Sequence, residues 1–256
     1  MYNSNQNQYQ DNYLLNEADY NSNQMQQEKL EEIKEEITLN IRLGFIRKVY
    51  GIISIQLFIT SIVTLICMYS TSVKIFLIEH IGLFWLNFIL YVFLSIIITC
   101  VRGISRRVPH NYIILLIFTL SQSYIVGFIC AFTKPKIVFM AATMTFIMVV
   151  FLTLYAITTK SDITMMGSLF FIFGSAFLGL AMFNFFFRFE LLHVIISCIG
   201  VGLFGLYIVY DTQLIIGNKS EILKVDDYIL GAFLIYTDII SIFLQILQIL
   251  NYFSSN

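Results

Sequence analysis

Charge is what this chain has least of. Asp, Glu, Lys and Arg make up 12% of its 256 residues, about half the share of an ordinary globular protein. A soluble domain of this length could bury a good core, but it would need a far more charged surface, so that class is excluded. Proline is scarce too: Pro109 and Pro135 are the only two, and both fall in short loops that punctuate the third apolar segment. No Cys-x-x-Cys pair or His/Cys metal spacing occurs. Cys67, Cys100, Cys130 and Cys198 stand singly in apolar runs, so buried thiols acting as small apolar residues are expected, with no cofactor. No basic stretch is interleaved with aromatics, which argues against nucleic-acid partners. Gly-x-Ser-x-Gly, zinc and nucleotide motifs are missing as well, so no enzyme is expected. His80, His110 and His193 fall at the ends of apolar runs, where interfacial polar residues are common.

What the chain does have is apolar length. Apolar residues are 58% of the total, and they come in continuous runs, not in short amphipathic patches. Seven segments stand out: 49–69, 81–101, 112–132, 137–158, 163–187, 191–216 and 228–250. Each can cross a hydrocarbon layer of ~30 Å at ~1.5 Å per residue. The sixth is the longest and should tilt or protrude. The runs do not alternate, so a β-barrel is not supported. The expected fold is an all-α membrane protein, a bundle of seven transmembrane helices in a lipid bilayer.

The N-terminal part differs. Residues 1–27 are rich in Asn, Gln and Tyr and have almost nothing to bury, so a disordered tail is expected. No apolar run starts near Met1, which argues against a signal peptide. Leu30, Ile33, Ile37, Ile41 and Phe45 then recur at helical spacing, with Glu31, Glu32, Glu35 and Glu36 elsewhere on the wheel. That is an amphipathic helix leading into the membrane. Residues 1–40 carry eight acids against two lysines, a net of −6, which leaves +5 for the other 216. Two regions follow: an acidic tail over 1–40 and a transmembrane domain over 41–256.

Lysine and arginine set the orientation. With the N-terminus cytosolic, Arg42, Arg47, Lys48, Arg102, Arg106, Arg107, Lys160, Lys219 and Lys224 share its side. Lys74, Lys134, Lys136 and Arg188 lie opposite. Nine against four favours a cytosolic N-terminus. Asn218-Lys219-Ser220 matches a glycosylation acceptor but falls on the cytosolic side, so its modification would contradict this topology.

Two carboxylates lie inside the spans. Asp211 and Asp238 interrupt apolar runs at a cost of about 2.5–3.5 kcal/mol each on insertion scales, and intramembrane acids are by default functional. On the seventh segment Asp238, Ser241, Gln245 and Gln248 form one polar stripe, with Gly231 before it. On the sixth, Ser197, Gly200, Phe204, Tyr207 and Asp211 form another, and Gly200, Gly202 and Gly205 allow close approach. The two segments are antiparallel neighbours, so the stripes can face each other. Counting from their shared end puts Asp211 about 8 Å deep and Asp238 about 15 Å deep. The acids meet only if the seventh segment shifts outward or the sixth runs further. Two touching carboxylates in a dry site would share one proton and titrate as a pair. The proton would latch the two helices; its loss would leave a doubly acidic site for a hard cation such as Ca²⁺. Arg102 could pair with Asp211 or serve as an ordinary interfacial anchor.

The stretches "FIRKVYGIISIQLFIT", "VPHNYIILLIFTLSQSYIVG", "YDTQLIIG" and "DDYILGAFLIYTDIISIFLQIL" resemble the transmembrane Bax inhibitor motif family, and within it the lifeguard branch, over about residues 41–250. The resemblance implies seven helices with the seventh central and ringed by the others. It implies a pH-regulated Ca²⁺ leak with a paired-aspartate sensor, onto which Asp211 and Asp238 fall. In some members an arginine of the second helix is a partner; Arg102 matches best, with Arg106 and Arg107 as alternatives. Tyr207, Ser241 and Gln245 become candidates for the pore stripe, with Ca²⁺ as the transported ion and Asp211 and Asp238 as its contacts. Eukaryotic relatives are associated with the endoplasmic reticulum, Golgi and other endomembranes, and with restraint of cell death through other regulatory proteins. The Asn/Gln-rich tail departs from the Pro/Gly/Tyr-rich tail of some lifeguard relatives.

Three functions are therefore expected to compete. The first is a pH-sensitive Ca²⁺ leak channel. The second is a non-conducting scaffold or regulator acting through residues 1–40. The third is an H⁺-coupled cation exchanger that uses the same two acids.

Overall fold

The computed structural model describes residues 2–101, 103, 108–159, 161, 163–187, 189–217 and 225–255. Arg102, Arg106, Arg107, Lys160, Arg188, Lys219, Lys224 and the glycosylation match at 218–220 lie outside the described residues. Eight α-helices are described: α1 (Tyr2–Tyr69), α2 (Thr71–Glu79), α3 (Ile81–Cys100), α4 (His110–Ala131), α5 (Pro135–Thr158), α6 (Gly167–Phe187), α7 (Glu190–Ile216) and α8 (Tyr228–Ser255). No strand occurs among the described residues. Seven of the helices are long and apolar enough to span a membrane, all but the nine-residue α2. The protein is a multi-pass, all-α membrane protein.

The chain divides into two compact units, Met1–Gly44 and Phe45–Asn256. In the first, the tail expected to be disordered is helical from Tyr2 onward. The local reason is that residues 1–43 contain neither proline nor glycine, so nothing interrupts the helix. The predicted apolar stripe is present but uncovered in this unit: Leu30, Ile33, Ile37 and Ile41 are all exposed.

The second unit is built around α8. Two-thirds (67%) of its spanning window is buried, against 11% for α3, which makes α8 the central helix. It packs on α3, α4, α5 and α7, and on α1 through Gly231 beside Val49. Helix α6 packs on α7. Around this centre polarity is inverted relative to a soluble protein. The outward residues are large and apolar, with Phe171 78% exposed and Phe139 and Phe146 close behind. Gln56, Thr60, Thr119, Ser123, Asp211 and Asp238 are buried. Only lipid makes that arrangement favourable, because lipid cannot satisfy polar groups and bundle neighbours can.

Local chemistry sets the helix ends. The Ser70 side chain accepts from the Val73 N–H and starts α2, a short helix between the first two apolar segments. Pro135 opens α5 within its first turn. Helix α7 ends at Gly217, whose φ of 69° is left-handed, with its N–H bonded to the Gln213 carbonyl. The cysteine expectation holds for Cys67 and Cys130, which are buried; Cys100 and Cys198 are exposed.

Candidate functional site

Helices α7 and α8 meet along an antiparallel seam. Near one end the Ser197 hydroxyl shares its proton between Gln248 Oε1 at 2.8 Å and the His193 carbonyl at 2.9 Å. One turn on, Gly200 lies against Gln245; a Cβ there would stand 2.9 Å from Gln245 Cδ and 3.1 Å from Phe177. Glycine makes that close approach possible. Toward the other end Gly231 lies against Ile215.

The aspartates sit between these contacts. Asp211 is 7% and Asp238 6% exposed, and their carboxyl groups come within side-chain hydrogen-bonding reach of each other. Asp238 Oδ2 has no partner in the structure. The depth mismatch closes in two steps. With Ile215 opposite Gly231, α8 projects about half a turn past the end of α7, and Ile235 becomes level with Asp211. Asp238 is then three residues, about 4.5 Å, further along. Side chains lean toward their own helix N-terminus. In an antiparallel pair, Asp211 leans deeper and Asp238 leans back, so the two leans span the remainder.

Tyr207 lies within electrostatic reach of both acids and Tyr210 within reach of Asp211. The Tyr207 hydroxyl donates to the Phe170 carbonyl at 2.7 Å, and Gly174 leaves it room, since a Cβ there would overlap the phenol oxygen. Ser241 is partly buried, and Gln245 Oε1 is buried without a partner. Phe204, expected on the polar stripe, packs edge-on against Phe177 and Tyr207. Arg102, the candidate latch partner, lies outside the described residues. Of the site candidates, the structure thus brings together Asp211, Asp238 and Tyr207.

This geometry is carried by a chain whose residues 42–255 match the family model described as inhibitor of apoptosis-promoting Bax1. The chain belongs to the Bax inhibitor and lifeguard family. It is 34% identical over 214 residues to protein lifeguard 3 of Homo sapiens, covering 82% of this chain and 69% of that protein. The mouse protein lifeguard 3 is 32% identical over 213 residues, with the same shares covered. Protein LIFEGUARD 2 of Arabidopsis thaliana is 35% identical over 218 residues, 82% of this chain and 88% of that protein.

Within this Bax inhibitor fold two further groups bear on the site. Gln213, two residues after Asp211, donates from Nε2 to the Ser161 carbonyl and accepts from the Ile163 N–H, both at 2.9 Å. It ties the end of α7 to the connector between α5 and α6. Sequence reasoning missed it, because a glutamine near a helix end looks like a solvated residue. At the start of α8, the Lys48 ammonium lies 3.4 Å from the Tyr228 ring centroid, and Asn111 Nδ2 donates to the Tyr228 hydroxyl at 3.0 Å.

Among the described residues no group of three or more His, Cys, Asp or Glu comes together. The pair therefore offers four carboxylate oxygens, where a resident Ca²⁺ takes about six to eight ligands.

Proposed function

We propose that this protein is a pH-sensitive Ca²⁺ leak channel of an endomembrane, gated by the Asp211–Asp238 pair and acting in Ca²⁺ homeostasis and restraint of cell death. The observation that carries this reading is the two carboxyl groups brought together inside a bundle that spans a bilayer. Two adjacent carboxyl groups away from water favour sharing one proton over a double negative charge. With the proton present, α7 and α8 are tied together. With it gone, repulsion favours separation and the site attracts a cation. The sign follows: the leak is small in acid and grows as pH rises. The family's description and the lifeguard relatives support the link to cell death, and the excess of basic residues on one side supports a cytosolic N-terminus in the endoplasmic reticulum, Golgi or a related membrane.

The test is Ca²⁺ flux into liposomes across a pH series, for the native chain and for Asp211→Asn and Asp238→Asn. Flux indifferent to pH and to both substitutions would sink the proposal. Proton counterflow driven by Ca²⁺ would make the protein an exchanger that uses the same acids. A scaffold role is a second reading, favoured by the uncovered apolar stripe at Leu30, Ile33, Ile37 and Ile41. Deleting residues 1–40 separates them: a leak survives the deletion, whereas a scaffold loses its effect.

A further inference from the structure

Tyr236 lies two residues before Asp238, so it projects about 200° away around α8. Asp238 faces α7, while Tyr236 faces α1 and α4. Its side chain is completely buried, 0% exposed. Its hydroxyl is 2.8 Å from Thr60 Oγ1, which is 3.0 Å from Ser123 Oγ. Thr60 also donates to the Gln56 carbonyl at 2.8 Å, and Ser123 to the Thr119 carbonyl at 2.6 Å. Each hydroxyl has one proton. With those of Thr60 and Ser123 directed to backbone carbonyls, Tyr236 is the donor to Thr60. Phe118 meets the tyrosine ring edge-on at 6.2 Å.

The rest of this part of α8 is held by groups without direction. Ile229, Ile235, Ile242 and Leu247 are all buried, and apolar contact resists separation far more than rotation about the helix axis. Directional contacts at its ends come from Tyr228, bonded to Asn111, and Gln248, bonded to Ser197. Tyr236 supplies one in the middle, about 3 Å along the axis from Asp238. A carboxyl oxygen about 6 Å from the axis moves about 2 Å for a roll of roughly 20°, enough to break a hydrogen bond. Thr60 is a stiff anchor, since its β-branch limits rotation of the side chain.

We propose that Tyr236 is a positioning residue: its hydrogen bond to Thr60 fixes the roll of α8 and so holds Asp238 against Asp211. This rests on the reading of that pair as the working site. The groups that titrate around it among the described residues are Tyr207 and Tyr210 beside the acids and Tyr91 beside Tyr236. The mechanism requires none of them to change charge.

The experiment uses the full chain in lipid nanodiscs, with the four native cysteines replaced by alanine and with Asp211→Cys and Asp238→Cys. The rate of crosslinking by a short bis-maleimide then reports the juxtaposition directly. Adding Tyr236→Phe or Thr60→Val is expected to slow crosslinking about three- to tenfold, the effect of one net hydrogen bond. Thr60→Ser, which keeps the hydroxyl, restores the rate. Circular dichroism and the thermal midpoint of each variant show that the bundle is intact. An unchanged rate in both Tyr236→Phe and Thr60→Val overturns the proposal, as does a parent that fails to crosslink. Ca²⁺ flux is read separately, on chains with both aspartates intact. Slowed crosslinking with no flux in any chain upholds the positioning role and overturns the leak reading instead.

Discussion

At the scale of single residues, the site depends on groups with one geometry each. Asp238→Asn removes the shared proton's partner charge but keeps the shape. Its Ca²⁺ flux is expected to lose its dependence on pH, which for a one-proton gate is about tenfold per unit at most; liposome flux between pH 5 and pH 8 measures it. Gly174 tests the neighbourhood without touching an acid. A methyl there would push the Tyr207 phenol off the Phe170 carbonyl, so Gly174→Ala should destabilise by about 1–3 kcal/mol, read as a lowered thermal midpoint in detergent. Gly202→Ala is the control, because nothing lies within 4 Å of a Cβ there. Of these residues the aspartates were legible in the sequence, since an acid in an apolar run announces its cost. Tyr236 and Gln213 were not. A tyrosine among apolar residues, or a glutamine near a helix end, costs nothing conspicuous until its partner 176 or 52 residues away is known.

At the scale of elements, the seven spans follow from length and apolarity, and the boundaries read from sequence lie within two residues of the helix ends at most positions. The exception at the N-terminus is instructive. Composition says residues 1–27 have nothing to bury, which is true, but the helix there is a matter of missing breakers. The cap at the end of α7 gives a prediction of its own. Gly217 holds a left-handed φ of 69°, so Gly217→Ala should cost about 1–2 kcal/mol. Gln213→Leu would leave the Ile163 N–H and the Ser161 carbonyl without partners. Its effect should be local: faster amide exchange at residues 161–167 by hydrogen–deuterium exchange, with α8 unchanged.

At the scale of the whole molecule, the core cluster of the second unit begins at Phe45. Deleting residues 1–40 should therefore leave its thermal midpoint unchanged in detergent. Membrane-impermeant labelling of single cysteines at Leu30 and Phe253 should place the two on opposite sides of the bilayer, as an odd number of spans requires. The sequence by itself determined that the chain lives in a membrane, how many segments are long and apolar enough to cross it, and which two acids are out of place. Those are properties of composition and of helical period, which need no knowledge of neighbours. Only the tertiary structure decided that the two acids meet. Their depths, counted along the chain, disagree by a turn or more. The outward shift of α8 past Gly217 and the opposite lean of side chains on antiparallel helices close that gap, and both arise from how two helices pack.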